Sequence, residues 1–383
     1  MKSFICKVKE MSAGRAVVLP VFGDAESMAT AYIAVKALGG DKVNAIHIDH
    51  SMLRLGEAKA VLSSLKKIGV GNVISVSLDK FFLISSVKAA DGRVIGPLST
   101  VCDPSDKRCI VATAIEREYK RIVGERFGTD IFMLGVHSVG GPSLGIGSRA
   151  ADIAREAGAD EFLIRQPFPM QALSIRMLCN DSAIALTTEQ RTALEAEVAK
   201  YSDGKFAAKL VPFRSVGVRD GVRSYKSMAV LSGGDANSDF SKAAQISADI
   251  DKKLPFINRV LLRVDSDAKA RTYHGSPMHI SKETLDVIRT ADAVVAEEFA
   301  CTKAVQFFAV LLPFVADKQK RYSVAIRAVD TADFENATAL VPGVDFDIDI
   351  LKQTASRIKD ALPSVDTVLY DITSKPPAAI EFE

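Results

Sequence analysis

The amino-acid sequence predicts an α/β fold, in which a parallel sheet with helices on both faces is followed by an α+β region. Two observations lead to this prediction. In the first 165 residues, continuous apolar segments alternate with amphipathic ones, and in the second half a pattern recurs after roughly a hundred residues. We expect such a parallel sheet to bind ligands at the carboxyl ends of its strands.

Four segments of the first part predict buried strands because they are almost continuously apolar: 16–21, 43–49, 72–78 and 130–137. Between the second and third of them, apolar residues recur at helical spacing: Leu55, Ala58, Val61, Leu62, Leu65 and Ile68. Asp103 and Pro104 favour the start of a further helix that extends to about Phe127. Strand and helix therefore alternate, as a parallel sheet requires.

The second half contains an internal repeat. The segment "VPFRSVGVRDGVRSYKSMAVL" (211–231) is echoed by "LPFVADKQKRYSVAIRAV" (312–329), and "LPFINRVLLRV" (254–264) is echoed by "LPSVDTVLYDI" (362–372). These pairs predict two copies of one strand-helix-strand module, at about residues 205–290 and 300–383, packed as an α+β domain.

The composition is that of an ordinary globular protein, with 48% hydrophobic and 25% charged residues. A net charge of +2 gives no indication of nucleic-acid binding. We expect no transmembrane span, because no uncharged segment is both long and free of glycine and proline. The odd number of cysteines and the lack of CxxC spacing favour a reducing intracellular compartment, cytoplasm or organelle, without disulfides or zinc: Cys6, Cys102, Cys109, Cys179 and Cys301.

Several segments, in the same order along the chain, resemble those of GMP synthetases: "HIDHSMLRLGEA" (47–58), "DPSDKRCI" (103–110), "RQPFPMQALSIRML" (165–178), "SVGVRDGVRSY" (215–225) and "VLYDITSKPPAAIEFE" (368–383). The resemblance implies a Rossmann-like, adenine-nucleotide-hydrolase-like ATP-pyrophosphatase domain over 1–165 and a dimerisation domain with a duplicated module over 166–383. Enzymes of this family adenylate xanthosine monophosphate (XMP) with ATP, and ammonia then displaces AMP to give GMP. Most members carry a glutamine amidotransferase domain ahead of this region, so the resemblance implies ammonia from a separate subunit or from solution.

The resemblance also implies a set of XMP-binding residues: Arg108, Arg223, Gln306, Lys375, Ile380 and Glu381. Their chemistry suits this ligand, because arginine and lysine bind a phosphate dianion with charge-assisted hydrogen bonds. Gln306 and Glu381 carry groups that can recognise donors and acceptors on a purine. The family's aspartate before the "RSY" letters falls on Gly221 here, with Asp220 beside it.

The phosphate loop of the family, SGGVDSS, aligns with the turn after the first predicted strand: Val21, Phe22, Gly23, Asp24, Ala25, Glu26 and Ser27. Phe22 places a bulky side chain where backbone must approach phosphate, and Ala25 lacks the carboxylate. Glu26 adds a negative charge that stabilises a helix N-terminus and repels a triphosphate. We therefore predict a degenerate ATP loop. Asp49, after the second strand, stays a possible nucleotide contact.

A mobile segment of the family is shortened here to "HSVGGPSLGIGSRA" (137–150), in which His137, Gly140 and Gly141 are relics or belong to a flexible turn. In the segment that begins at 165, the family's histidine becomes Gln166 and its Gly-Pro-Gly becomes residues 170–172. The other histidines form no ligand set with one another or with cysteines, so we predict structural or surface roles and no metal site: His47, His50, His274 and His279.

Three functional hypotheses remain open. The favoured one is a GMP synthetase homologue without ATP chemistry, which acts as a binding or structural subunit, as a homodimer or in a larger complex. The alternative is an active subunit that uses ATP and Mg²⁺ and works with a separate glutamine amidotransferase. The third is a dimeric protein that senses XMP or GMP.

Overall fold

The computed structural model describes the chain except for residues 79–85, 90, 138, 165–171, 202–204, 220, 234–239, 265–270, 276 and 333–334. The chain forms two compact units. The first comprises Met1–Val101 and Ser105–Ala172, and the second comprises Cys102–Pro104 and Leu173–Glu383. The predicted domain boundary after residue 165 falls at residues outside the described part, as do Gln166 and residues 170–171, so this boundary stays a prediction.

The first unit alternates helices and strands: α1 Lys2–Ser12, β1 Val17–Val21, α2 Ala25–Leu38, β2 Val43–Asp49, α3 Glu57–Ile68, β3 Asn72–Ser77, β4 Val87–Lys88, β5 Val94–Ile95, α4 Pro104–Arg126, β6 Phe132–Met133, α5 Ala150–Glu156 and α6 Glu161–Ile164. Four of the strands form a parallel sheet in the order β3-β2-β1-β6, and β4 pairs with β5. The predicted parallel sheet is thereby confirmed.

Two details of this unit differ from the prediction. The strand expected over 130–137 comprises only Phe132 and Met133, followed by one further hydrogen bond to β1 from the Leu134 amide to the Val18 carbonyl. The chain then turns back, and the Gly135 amide donates to the Pro142 carbonyl. Leu55, which was assigned to a helical face, precedes α3 and is 63% exposed. The helix begins after Gly56, whose φ of 78° ends the preceding turn.

The second unit contains the following elements: α7 Thr188–Val198, β7 Phe206–Arg219, β8 Val222–Gly233, α8 Phe240–Lys253, β9 Ile257–Arg263, β10 His274–Gly275, α9 Lys282–Glu298, β11 Gln306–Leu312, β12 Phe314–Val315, β13 Tyr322–Asp330, β14 Thr338–Ala339, α10 Ile348–Ala361 and β15 Val365–Asp371. Its main sheet has the order β11-β13-β15-β9-β8-β7, with β14 paired to β13. The short strands β10 and β12 pair with each other.

This order reflects the duplication in the sequence. The segments β7-β8-α8-β9 and β11-β13-α10-β15 are equivalent, and each contains an antiparallel pair followed by a parallel crossover through a helix. The repeat is therefore a strand-strand-helix-strand unit, one strand longer than predicted. The two copies join where β9 and β15 run antiparallel at the centre of the sheet.

Several strands begin or end at one edge of this sheet. β11 is antiparallel to β13, and β13 is parallel to β15, so the start of β11 lies beside the ends of β13 and β15. The starts of β9 and β8 lie at the same edge, because β9 is antiparallel to β15 and β8 is parallel to β9. Residues 372–383, here called the tail, continue from β15, and we call this edge the tail edge.

The tail is held to both halves of the sheet by backbone hydrogen bonds. Lys375 pairs with Ala337 beyond the end of β13, with N···O distances of 2.7 and 3.0 Å. Farther along, the amide of Val216 in β7 donates to the carbonyl of Phe382 at 3.0 Å. The tail therefore crosses the tail edge from one repeat to the other.

Within the residues that the structure describes, every helix is too short or too polar to cross a membrane.

Candidate functional site

The turn between β1 and α2 in the first unit is the predicted phosphate loop. Gly23 has a φ of 77°, and a Cβ at this position would lie 2.7 Å from Cγ2 of Val61, so the turn requires glycine. Asp24 is the N-cap of α2. Its Oδ1 accepts a hydrogen bond from the Ser27 amide at 2.7 Å, and its own amide donates to Oγ of Ser27 at 3.3 Å. This capping box satisfies amides at the helix start with the chain's own side chains.

His137, which follows β6, completes this cluster. Its Nε2 lies 2.8 Å from Oδ2 of Asp24, its Nδ1 lies 3.4 Å from Oε2 of Glu26, and its ring centroid is 5.8 Å from that of Phe22. The hydrogen bond to Asp24, with the attraction of both carboxylates, raises the pKa of His137 above its usual value. No contact between His137 and the loop was predicted. The sequence contains the information needed to predict it, because the loop follows β1 and His137 follows β6. Residues that follow neighbouring parallel strands lie at one edge of the sheet.

This cluster predicts a pH-dependent contribution to stability. The pKa of His137 is raised in the folded state, so its stabilising effect is complete below the unfolded pKa of about 6.5 and is lost as pH rises through the folded value. The ring is 39% exposed, so solvent screening keeps the effect below about 1 kcal/mol. The Tm difference between the wild type and His137→Gln is therefore expected to shrink between about pH 6 and about pH 8.5.

The Asp24→Asn variant is the matched control for this measurement. It removes the charge that raises the pKa of His137 while an amide oxygen can still accept from Ser27. In that background, the His137→Gln difference is expected to depend less on pH. A difference that stays constant or grows with pH in the wild-type background contradicts the assignment.

Asp49, the possible nucleotide contact, ends β2. Its Oδ1 accepts a hydrogen bond from the Ser51 amide at 2.9 Å, which supports a turn where Ser51 has a φ of 63°. Burial lowers the pKa of the neighbouring His47, whose Nδ1 lies 3.0 Å from the Val21 carbonyl, and lowers the pKa of His50 to about 4. Both side chains are buried, which agrees with the predicted structural role, and the role itself stays a prediction.

The tail edge of the second unit contains a buried ion network. Arg259, Arg327 and Asp371 are each 0% exposed. Oδ2 of Asp371 accepts from Nη1 of Arg259 and lies 2.8 Å from Nη1 of Arg327. Burial lowers the pKa of Arg259 to about 10. Nη2 of Arg259 donates to the carbonyls of Ala379, at 2.9 Å, and Glu381, at 2.8 Å, so the network fixes the path of the tail.

Glu381 has a second anchor that the sequence analysis missed. Its Oε2 lies 2.8 Å from Nη1 of Arg176, whose guanidinium stacks 3.3 Å from the ring centroid of Phe308 in β11. Burial raises the pKa of Glu381, and Arg176 and Arg259 oppose this shift. Arg176 lies in the quoted segment 165–178, but nothing in that segment alone indicated its partner.

Gln306 is the first residue of β11 and shares a face of that strand with Phe308, two residues on. Among the described residues its buried Oε1 has no hydrogen-bond partner. The contacts of Arg176 with Phe308 and Glu381 thus bring the carboxyl of Glu381 to the strand that carries Gln306. Lys375 and Ile380 lie on the same tail, so four of the predicted XMP residues are collected at this edge.

Arg223 lies at this edge as well. It is the second residue of β8 and pairs with Val218 of β7, whose amide donates to the tail carbonyl of Pro377 at 2.8 Å. Arg108 is an exposed residue of α4 in the first unit. Gly221 has a φ of 73° in the turn between β7 and β8, and Asp220 lies outside the described residues.

A further cluster in the second unit involves His279, which was predicted to form no ligand set with cysteines. Sγ of Cys102 lies 3.6 Å from Nδ1 of His279, and Nε2 of His279 lies 3.5 Å from Oδ1 of Asp181. One ligand atom from each of these residues lies within 4.8 Å of the other two, so the residues are closer together than the sequence indicated. These residues come from three distant segments, so no local spacing could indicate their proximity.

Comparisons with known proteins agree with the resemblance. Residues 293–382 match the family described as GMP synthase C terminal domain. A GMP synthase (glutamine-hydrolyzing) of Dictyostelium discoideum is 24% identical over 462 residues, which cover 99% of this chain and 64% of that protein. One of Thermus thermophilus is 28% identical over 396 residues, 100% of this chain and 61% of the relative.

A shorter match has a higher sequence identity. A GMP synthase (glutamine-hydrolyzing) of Thermomicrobium roseum is 42% identical over 115 residues, 27% of this chain and 21% of the relative. The chain spans less than two thirds of the length of these relatives. It is thus similar to GMP synthases along its whole length, and residues 293–382 match their C-terminal domain family.

Proposed function

We propose that this chain is a GMP synthase homologue that binds XMP or GMP in its second unit and no longer uses ATP, so that it acts as a binding or structural subunit. The relatives are named GMP synthases, which supports a purine mononucleotide as the ligand. The family of the matched C-terminal region is a dimerisation domain by resemblance, so the proposed assembly is a homodimer or a larger complex.

The main support for a loss of ATP chemistry is that side chains of this chain already occupy the start of α2. A helix N-terminus binds phosphate through free amides and the positive end of its dipole. Here the Ser27 amide is bound to Asp24, and the carboxylates of Asp24 and Glu26 lie against His137. A triphosphate at this position would meet two carboxylates, and like charges a few ångström apart repel by roughly several kcal/mol in a partly desolvated site.

The groups at the tail edge support a nucleotide ligand. The unpaired Oε1 of Gln306 can accept a hydrogen bond from a purine N–H, and the ammonium of Lys375 can bind a phosphate. The carboxyl of Glu381, whose pKa burial raises and Arg176 lowers, offers oxygen atoms that can accept hydrogen bonds from a purine. Because Arg259 and Arg176 fix the tail, these groups are positioned before the ligand binds.

Two measurements on the purified chain test this function. Calorimetric titrations with XMP and with ATP and Mg²⁺ are expected to show binding of XMP and no heat from millimolar ATP. An assay with ATP, Mg²⁺, XMP and ammonium is expected to yield no GMP above background, with the Thermus thermophilus enzyme as positive control. GMP formation would instead establish the active subunit, whose ammonia would come from a separate glutamine amidotransferase. Failure to bind either XMP or GMP contradicts the proposed site.

A further inference from the structure

The side chains of Cys102, His279 and Asp181 form a compact cluster within the second unit. Nδ1 of His279 lies 3.6 Å from Sγ of Cys102, and Nε2 lies 3.5 Å from Oδ1 of Asp181. The arrangement contains a nucleophile, a base and a group that orients the base. These are the three parts that activated thiols and hydroxyls require.

Backbone hydrogen bonds hold the residues around this cluster. The amides and carbonyls of Asn180 and Met278 form two reciprocal hydrogen bonds, both 2.9 Å long, so Asp181 and His279 each directly follow a paired residue. The His279 carbonyl accepts from Oγ1 of Thr284 at 3.0 Å, and Thr284 belongs to the capping box that begins α9. Both neighbours of the thiol are therefore held by regular structure.

The same three side chains also offer a set of metal ligands, because one donor atom from each lies within 4.8 Å of the other two and the residue types suit a soft divalent ion. The shortest contacts are those of the thiol with Nδ1 and of the carboxylate with Nε2. The contact between the thiol and Nδ1 is the one that a general base requires, and the chelator in the test below separates the two roles.

We propose that Cys102 is a nucleophilic thiol, with His279 as its base and Asp181 as the group that orients the imidazole, and that it is a site of modification by soft carbon electrophiles such as haloacetamides or α,β-unsaturated carbonyls. With a haloacetamide, Nδ1 of His279 takes the thiol proton and the sulfur forms a bond to the methylene carbon. The carbon–halogen bond breaks, and halide leaves with the bonding electrons. The proton stays on the imidazolium, beside the carboxylate of Asp181.

Access to the thiol supports this chemistry. Cys102 is half-buried, and the side chains of His279 and Asp181 are 33% and 78% exposed. Cys6 and Cys301 are more exposed than Cys102, so exposure alone predicts that they react faster. If Cys102 is activated, it reacts faster than Cys6 and Cys301 despite its lower exposure. These two cysteines therefore serve as control thiols within the same chain.

The test is alkylation of the whole native chain with iodoacetamide at pH 7 in the presence of EDTA, with the rate of each cysteine measured by peptide mass spectrometry. Cys102 is expected to react about tenfold faster than Cys301. An ordinary thiol is only about 3% ionised at this pH, which allows a gain of up to roughly 30-fold, and the lower nucleophilicity of a stabilised thiolate reduces that gain.

Two variants separate activation from exposure. His279→Gln is expected to lower the Cys102 rate to that of Cys301 or below, and Asp181→Asn is expected to lower it partly, with the Cys301 rate unchanged in both. The buried Cys179 reports on folding, because it stays slow only in a folded variant. The proposal is overturned if wild-type Cys102 reacts no faster than Cys301, if His279→Gln leaves its rate unchanged, or if fast reaction requires removal of a metal by the chelator.

Discussion

Replacing Asp371 with asparagine is expected to lower the free energy of unfolding of the second unit by about 3–5 kcal/mol. The carboxylate is fully buried and is the shared partner of the guanidinium groups of Arg259 and Arg327. Without its charge, two buried guanidinium groups lose the carboxylate that they share, and desolvation of such groups is expensive. Urea denaturation followed by circular dichroism measures the change.

Asp286→Asn is the matched control, because Asp286 is 51% exposed and pairs with Lys282 and Arg289 on the surface of α9. An exposed pair of this kind contributes about 1 kcal/mol or less. Equal effects of the two substitutions would show that burial does not determine how much the Asp371 network contributes to the free energy of unfolding. The same experiment reports on the tail, since Arg259 also binds the Ala379 and Glu381 carbonyls.

Replacing Lys375 with alanine is expected to weaken XMP binding by about 10- to 100-fold, which corresponds to the loss of one charge-assisted hydrogen bond to phosphate. This expectation depends on the proposed function. Lys375 lies on the tail that Arg259 and Arg327 hold at its other residues, so the backbone is expected to keep its path in the variant. Calorimetric titration with XMP measures the affinity.

Lys318→Ala is the control for this titration, since Lys318 is an exposed lysine of the same unit. Its removal changes the net charge by the same amount and is expected to leave the affinity within about twofold, because screened charges at a distance contribute little. If both variants bind XMP as the wild type does, Lys375 does not contact the phosphate.

The sequence predicted the parts of the fold that depend on local patterns. The segment 43–49 forms β2 with the predicted bounds, because continuous β-branched and apolar residues suit a strand buried on both faces. Asp103 and Pro104 correctly indicated the start of α4. The repeat was also recognised, but its first strand was missed, because β7 and β8 form one hairpin whose turn lies within the segment 211–231.

The candidate sites were predictable only in part. Resemblance named Gln306, Lys375 and Glu381, and their location along the tail edge follows from the strand order. The partners that hold them were not predictable, because Arg176 and Arg259 meet Glu381 across separations of 205 and 122 residues. The contacts of His137 with Asp24 and of Cys102 with His279 span 113 and 177 residues of sequence. Periodicity and spacing describe neighbours along the chain, and such contacts arise only when distant segments fold together.

The position of β15 has a consequence for the order in which the second unit is completed during synthesis. β15 is translated after all other strands of its sheet, yet it lies between β13 and β9 and provides the pairing that joins the two repeats. Until it emerges from the ribosome, β13 and β9 each expose an unpaired edge next to apolar side chains, and such edges promote wrong pairing. The two repeats therefore cannot form one continuous sheet during synthesis until β15 is added between them.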